Sequence, residues 1–382
     1  MSFLPPDALC YIEENQQALV DLIAQLCAVP APSNHEEQRA AFCKRWLEEA
    51  GARGVFIDDA LNVICPVACE GDGPVSVFMA HTDTVFPDLE PFTPRIENGR
   101  MHCPGVGDDT ANLAALLLCV KYILQNGLSP RRGGVVFVAN SGEEGLGNLK
   151  GSRAVMARYG RRVQQFISFD GGYPDICDRA VGSSRYRVEV LTEGGHSFGD
   201  FGNRNAIQLL AQMISDFYAL KVPVDGGSKT TYNVGLIEGG TSVNTIAQQA
   251  AMLYEYRSDS NLCLEKMEAF FQSVIAHYRA MGVTVHVELL GRRPGMGPVD
   301  PAAMDALRDK VSSIMQEFCG KPAVFESGST DANIPLSMGI PALVFGAYHG
   351  HGAHTREEYI ELSSLPTGFK IVMAALLESF QL

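Results

Sequence analysis

VSVFMAHTDTVFP (residues 75–87) and GVGDDTANLAALL (residues 105–117) frame the stretch on which the fold turns. An apolar run of strand length, 75–80, ends abruptly in His81-Thr82-Asp83. After a polar loop, a glycine-punctuated turn delivers Asp108-Asp109 at the mouth of an apolar helix expected over 111–125. A histidine and carboxylates at strand ends and helix starts are what a hydrolytic metal site needs. A dinucleotide fingerprint would require a third glycine at position 110, where Thr110 stands.

Working outward, apolar strands alternate with helices: strands over 75–80, 135–139 and 165–169, helices over 111–125 and 151–159. Continuous apolar strands separated by helices predict an α/β fold, a mostly parallel sheet flanked by helices on both faces. Ligands gather beyond the carboxyl ends of such strands. His81, the segment Asn140-Ser-Gly-Glu143-Glu144 and Asp170 all fall there. Upstream, residues 12–28 have helical periodicity, and Ser33 three residues before Glu36 suggests a capping box for a second helix. From about Ser183 the pattern becomes β-α-β-β-α-β, the ferredoxin-like order. The expected organisation is a catalytic domain in two parts, 1–182 and 294–382, with a ferredoxin-like α+β domain inserted at 183–293.

The 382 residues favour two domains on one chain. A formal net charge of −14 and a sequence pI near 5.1 argue against nucleic acid and anionic membranes as partners. The ten cysteines are scattered, with no spacing of a zinc knuckle, and read as reduced core thiols. The start MSFLPPDALCYIEEN lacks the basic start and apolar core of a signal peptide, and the apolar helix is too short to cross a bilayer. The expected location is cytoplasmic.

Residues two apart in an extended chain point the same way, so Asp83 can reach behind the His81 ring and fix its tautomer. Either residue could equally be a polar strand end. Asp108-Asp109 could be helix-start charges or, as ligands, one bridging two metals while the other points away. Glu143-Glu144 can divide its labour, one acid binding metal and the other acting as base on an activated water. Asp170, directly after FISF, is a costly residue there without a partner. Late in the chain, His349, His351 and His354 stand among glycines, where neither packing nor helix formation benefits. Histidines and carboxylates without cysteine suit a pair of divalent cations, Zn2+ first and Co2+ or Mn2+ as alternatives.

In this order, HTD, GxGDD, the EE turn, FDGG, GGHS in the inserted domain and a late GAH followed by acids resemble the dinuclear zinc peptidases and deacylases. That family includes peptidase T, glutamate carboxypeptidases, acetylornithine deacetylase and succinyl-diaminopimelate desuccinylase. The resemblance covers nearly the whole chain. It implies His81 and Asp170 on one metal, Glu144 and His354 on the other, and Asp108 between them, joined to Asp109 by a cis peptide bond. It implies Glu143 as general base and acid, Asp83 supporting His81, and His196 stabilising an oxyanion, in dimeric members from the partner subunit. Asn244 and Arg257 match the family's substrate-binding asparagine and arginine, although Arg257 could also be a strand-end charge.

The expected reaction is metal-dependent hydrolysis of an amide bond in a small peptide or acyl-amino acid. An aspartate at the Asp170 position goes, within the family, more often with aminopeptidases and dipeptidases, which favours a peptidase T-like enzyme. The alternatives are an N-acyl-amino-acid deacylase or a carboxypeptidase, and, in another class, an inactive binding protein on the same scaffold. A phosphoesterase is disfavoured because no Arg/Lys cluster accompanies the ligands. A homodimer through the inserted domain follows from family habit.

Overall fold

The computed structural model describes residues 2–381. They form two compact units, one running to Arg179 and again from Gly297, the other Ala180–Met296.

The first unit is built on an eight-stranded sheet whose four central strands, in order Gly134–Asn140, Val75–His81, Val163–Phe169 and Ala342–Phe345, are parallel. Val63–Val67 and Asp175–Ala180 flank them antiparallel. Gly134–Asn140 is buried at every residue, as a strand covered on both faces must be. His81 pairs with Asn140 and Phe345 with Phe169, so the central strands end nearly level at one edge. Helix Asn112–Gln125 is buried along almost its whole length and packs against Gln16–Cys27 and Leu365–Leu377. Its apolar residues therefore form the centre of a layer, not a membrane span. No helix among the described residues is long and apolar enough to cross a membrane. All ten cysteines are free thiols.

Three local expectations change. The helix expected over 12–28 is two, Pro6–Glu14 and Gln16–Cys27, separated at Asn15, whose side-chain amide donates to the Tyr11 carbonyl at 2.7 Å. The Ser33–Glu36 capping box does not form. Ser33 donates its hydroxyl to Asp83 at 2.7 Å, Glu36 accepts from the Asn34 N–H and from Lys150, and helix Glu37–Glu49 begins without a side-chain cap. The polar loop after residue 87 holds a hairpin, Arg95–Glu97 and Arg100–His102, turning on Asn98-Gly99 with φ of 51° and 75°. Asn-Gly suits this turn because both residues tolerate positive φ. The hairpin joins Gly350–His351 and Tyr359–Glu361 in a small sheet.

The second unit is a ferredoxin-like α+β domain. Its antiparallel sheet runs Thr230–Gly239, Gln249–Ser258, Gly182–Leu191, Thr284–Arg293, and helices Ala206–Tyr218 and Asn261–Ala280 pack on it. Gly182–Leu191 alternates buried and half-buried residues, the mark of one covered face. Ser183 near its start pairs with Arg293 near the end of the last strand. The core is an aromatic stack in which Phe271 lies 4.2 Å from Tyr186, 5.6 Å from Tyr254 and 5.7 Å from Phe217, measured between ring centres. Phe271→Ala should lower the unfolding free energy of this unit by about 3–5 kcal/mol, read from urea denaturation followed by tyrosine fluorescence.

Candidate metal centre

The level strand ends bring the acids and imidazoles together. Asp108 divides its carboxylate: Oδ1 lies 3.0 Å from His81 Nε2 and Oδ2 lies 3.0 Å from His354 Nε2. Glu144 Oε1 is 3.1 Å from the same His354 nitrogen. His81, Asp108 and Glu144 have ligand atoms within 4.8 Å of one another, and so do His81, Asp109 and Asp170. Both oxygens of Asp109 already have donors, the His81 N–H at 2.8 Å and the Asn112 amide at 2.7 Å. Asp108, not Asp109, thus faces both imidazoles. The peptide bond joining them is cis.

Asp83 meets the His81 ring with two groups. The nearer partner of His81 Nδ1 is the Asp83 backbone carbonyl at 3.0 Å, while the carboxylate is 3.5 Å away. That carboxylate accepts the N–H of Glu143 on one oxygen and of Glu144 on the other, both at 3.0 Å, and the Ser33 hydroxyl. It thereby also holds the acid turn. A buried Asp331, in a loop without an assigned role in the sequence, accepts from the Asn140 amide at 2.5 Å. Asn140 in turn accepts the Thr82 N–H and hydroxyl on its carbonyl. Asp331 opens DANIPL, a run that the fold buries throughout. His349 and His351 stand apart from the centre, His349 on the Tyr173 carbonyl and His351 paired with Tyr359.

Burial pushes the carboxyls of Glu144 and Asp170 up to about 7. Burial alone would push His81 down, but Asp109, Asp108 and Asp83 hold it well above the usual imidazole range. Hydrogen bonds to Asp108 and Glu144 draw His354 up to about 11. For Asp108, burial raises the acid, yet the two imidazoles outweigh it and leave the group below the usual carboxylate range. The crowded acids thus favour positive charge at this place, as a bound cation would supply. Two imidazoles with carboxylates and no thiolate fit a divalent ion that accepts nitrogen and oxygen donors.

The sequence pattern of "Peptidase family M20/M25/M40" matches residues 77–378. The chain belongs to that family. Among relatives, the succinyl-diaminopimelate desuccinylase of Nitrosomonas eutropha is 24% identical, over 80% of this chain and 84% of its own. Aminopeptidase PepT of Bacillus cereus superposes with a TM-score of 0.72 at 23% identity, over 96% of this chain and 99% of its own. The YXEP protein of Bacillus subtilis, described as a dinuclear metal binding peptidase from the M20 family, gives 0.62 at 18% identity, over 96% and 99%. The chain is a hydrolase of the M20 family, and its strand ends gather histidine and carboxylate groups that could hold a metal ion.

In this M20 chain the remaining candidates lie in the second unit. His196 is exposed, and its Nδ1 accepts the N–H groups of Phe198 and Gly199 at 3.3 and 3.2 Å. Gly195–His196 pairs with Thr245–Ile246, and Ser197 donates to the Asn244 carbonyl, so His196 and Asn244 are neighbours. Arg257 is elsewhere: it stands eight residues along the strand from Gln249, roughly 26 Å at strand rise, and Glu255 holds its guanidinium by two hydrogen bonds of 3.0 Å.

Asp83→Ala would leave the Glu143 and Glu144 N–H groups buried without an acceptor. It should lower the unfolding free energy by about 2–6 kcal/mol, at roughly 1–3 per orphaned donor, and should do so in chelator-treated protein as well, as urea denaturation will report.

Proposed function

We propose that the chain is a peptidase T-like aminopeptidase or dipeptidase whose water-activating site is a pair of divalent cations, Zn2+ in the native protein. His81, Asp108, Asp170, Glu144 and His354 are the proposed ligands, with Asp108 shared. One observation carries this reading: the two oxygens of Asp108 address two imidazoles from segments far apart in the chain, each at 3.0 Å. Asp170 follows the Phe169 strand end, with its N–H on the Phe345 carbonyl, beside the same group.

Bound cations there supply Lewis acidity, which acidifies water and polarises a carbonyl. The chain's own groups do the rest. Glu143, buried and fixed at its N–H by Asp83, takes a proton from the attacking water and returns it to the leaving amine. His81 is held by the Asp83 carbonyl at Nδ1, which keeps Nε2 directed at Asp108. His196 has Nδ1 occupied as an acceptor, so its proton sits on Nε2, where it can donate to an oxyanion.

Arg257 lies near the end of the strand Gln249–Ser258, whereas His196 and Asn244 lie at the separate short pair Gly195–His196 and Thr245–Ile246. The reading includes a homodimer through the second unit, which the family resemblance implies, with His196 of one copy serving the substrate held by the other. The free thiols agree with a reducing, cytoplasmic location. The second reading, an acyl-amino-acid deacylase, draws on the desuccinylase relative.

Glu143→Gln should lower kcat by roughly 10²–10⁴-fold while metal content stays at the wild-type value, measured by elemental analysis beside a peptide assay. Loss of metal together with activity would make Glu143 a ligand instead. The wild-type enzyme should cleave peptides with a free amino terminus. Cleavage of N-blocked substrates only would move the assignment to the deacylase.

A further inference from the structure

Glu358 lies four residues after His354, is 2% exposed, and has neither an arginine nor a lysine among its hydrogen-bond partners. Its carboxylate instead accepts three backbone N–H groups from the loop that carries Asp108: Gly105 at 2.6 Å, Gly107 at 2.8 Å and Asp108 itself at 2.9 Å. The intervening Val106 N–H goes to the Cys103 carbonyl, and the Cys103 N–H goes to the Glu358 carbonyl at 3.1 Å. Every donor from 105 to 108 is accounted for, and most of them converge on one side chain. Successive N–H groups curled about an anion form a nest. Here the anion is part of the protein.

The sequence around the nest is shaped for it. Gly105 has φ of 71°, and a Cβ there would meet the Thr84 methyl at 2.6 Å. A Cβ on Gly107 would meet the Tyr348 ring at 2.6 Å. Both glycines therefore let the loop close on the carboxylate between two fixed walls. Glu358 also shares a short segment with His354, whose ring touches Asp108 Oδ2. One residue thus ties the segment of one imidazole to the loop of the carboxylate it faces.

We propose that Glu358 is a positioning residue that sets the cation affinity of the centre by fixing Asp108 against His354. The inference rests on the metal-centre reading above and extends it to a residue that touches no cation. Partners that orient ligands are commonly worth 10–100-fold in metal affinity. Glu358→Gln keeps the shape but turns an N–H toward a backbone N–H; Glu358→Ala removes the acceptor altogether.

The test titrates Zn2+ into the chelator-treated full chain against a competing chelator, with Glu357→Gln, an exposed neighbour, as control. Both Glu358 variants should bind Zn2+ roughly 10–100-fold more weakly. At saturating Zn2+ the Glu358→Gln kcat should return to within about threefold of wild type, a recovery that a merely misfolded variant would not make. Wild-type affinity in both variants overturns the proposal, as does a weakened affinity that excess Zn2+ does not rescue in kcat. A wild-type chain that takes up no Zn2+ overturns the metal-centre reading and this inference with it. Uptake by wild type, matched by both variants, overturns the inference alone.

Discussion

Carboxylates crowded at one edge of an apolar sheet repel one another and lose hydration, and the first unit is arranged around that constraint. Asp83, Asp108, Asp109, Glu144 and Asp170 occupy adjoining strand ends and turns. None of them is left to solvent as its chief partner. Asp109 is met by the His81 N–H and Asn112, Asp83 by two N–H groups and Ser33, and Asp108 by two imidazoles. Backbone donors satisfy the supporting acids and leave the imidazoles for the acids that face each other. That division separates carboxylates held by neighbouring N–H and hydroxyl donors from those that face imidazoles.

The division depends on strands ending level. His81 opposite Asn140 brings Thr82 onto the Asn140 carbonyl, and the turn that follows presents the Glu143 and Glu144 N–H groups to Asp83. A one-residue slip in either strand would exchange the buried and presented faces and dissolve the arrangement. The buried run of Gly134–Asn140 and the packed helix Asn112–Gln125 make such a slip expensive. Precision at the centre is thus inherited from apolar packing some distance away.

The α/β core and the ferredoxin-like insertion were legible because both announce themselves by periodicity: apolar runs between helices in one, alternation such as Tyr186–Val188–Val190 in the other. The candidate residues were legible for a related reason, since a polar cluster directly after a buried strand is an anomaly that packing alone does not explain. What escaped was settled by partners distant in the chain. Ser33 has the local surroundings of a helix cap, but its hydroxyl is drawn to donate to the buried carboxylate of Asp83, fifty residues on. Asp331 gives no sign in its own loop that Asn140 will meet it. Arg257 matches the family's substrate-binding arginine, and nothing in its local sequence announces that Glu255 will hold its guanidinium by two hydrogen bonds. The Arg95–His102 hairpin carried an Asn-Gly signal, but its strands are short, charged and largely exposed, so no hydrophobic pattern accompanied it.

Ser183 opposite Arg293 means that the chain enters and leaves the second unit through neighbouring strands. At that doorway the Ala180 N–H lies 3.3 Å from the Met296 sulfur. A module whose two ends meet can be gained or lost in one event without leaving a gap in its host. A linker of a few residues could bridge the same span, which makes this junction a natural place to exchange the module between enzymes.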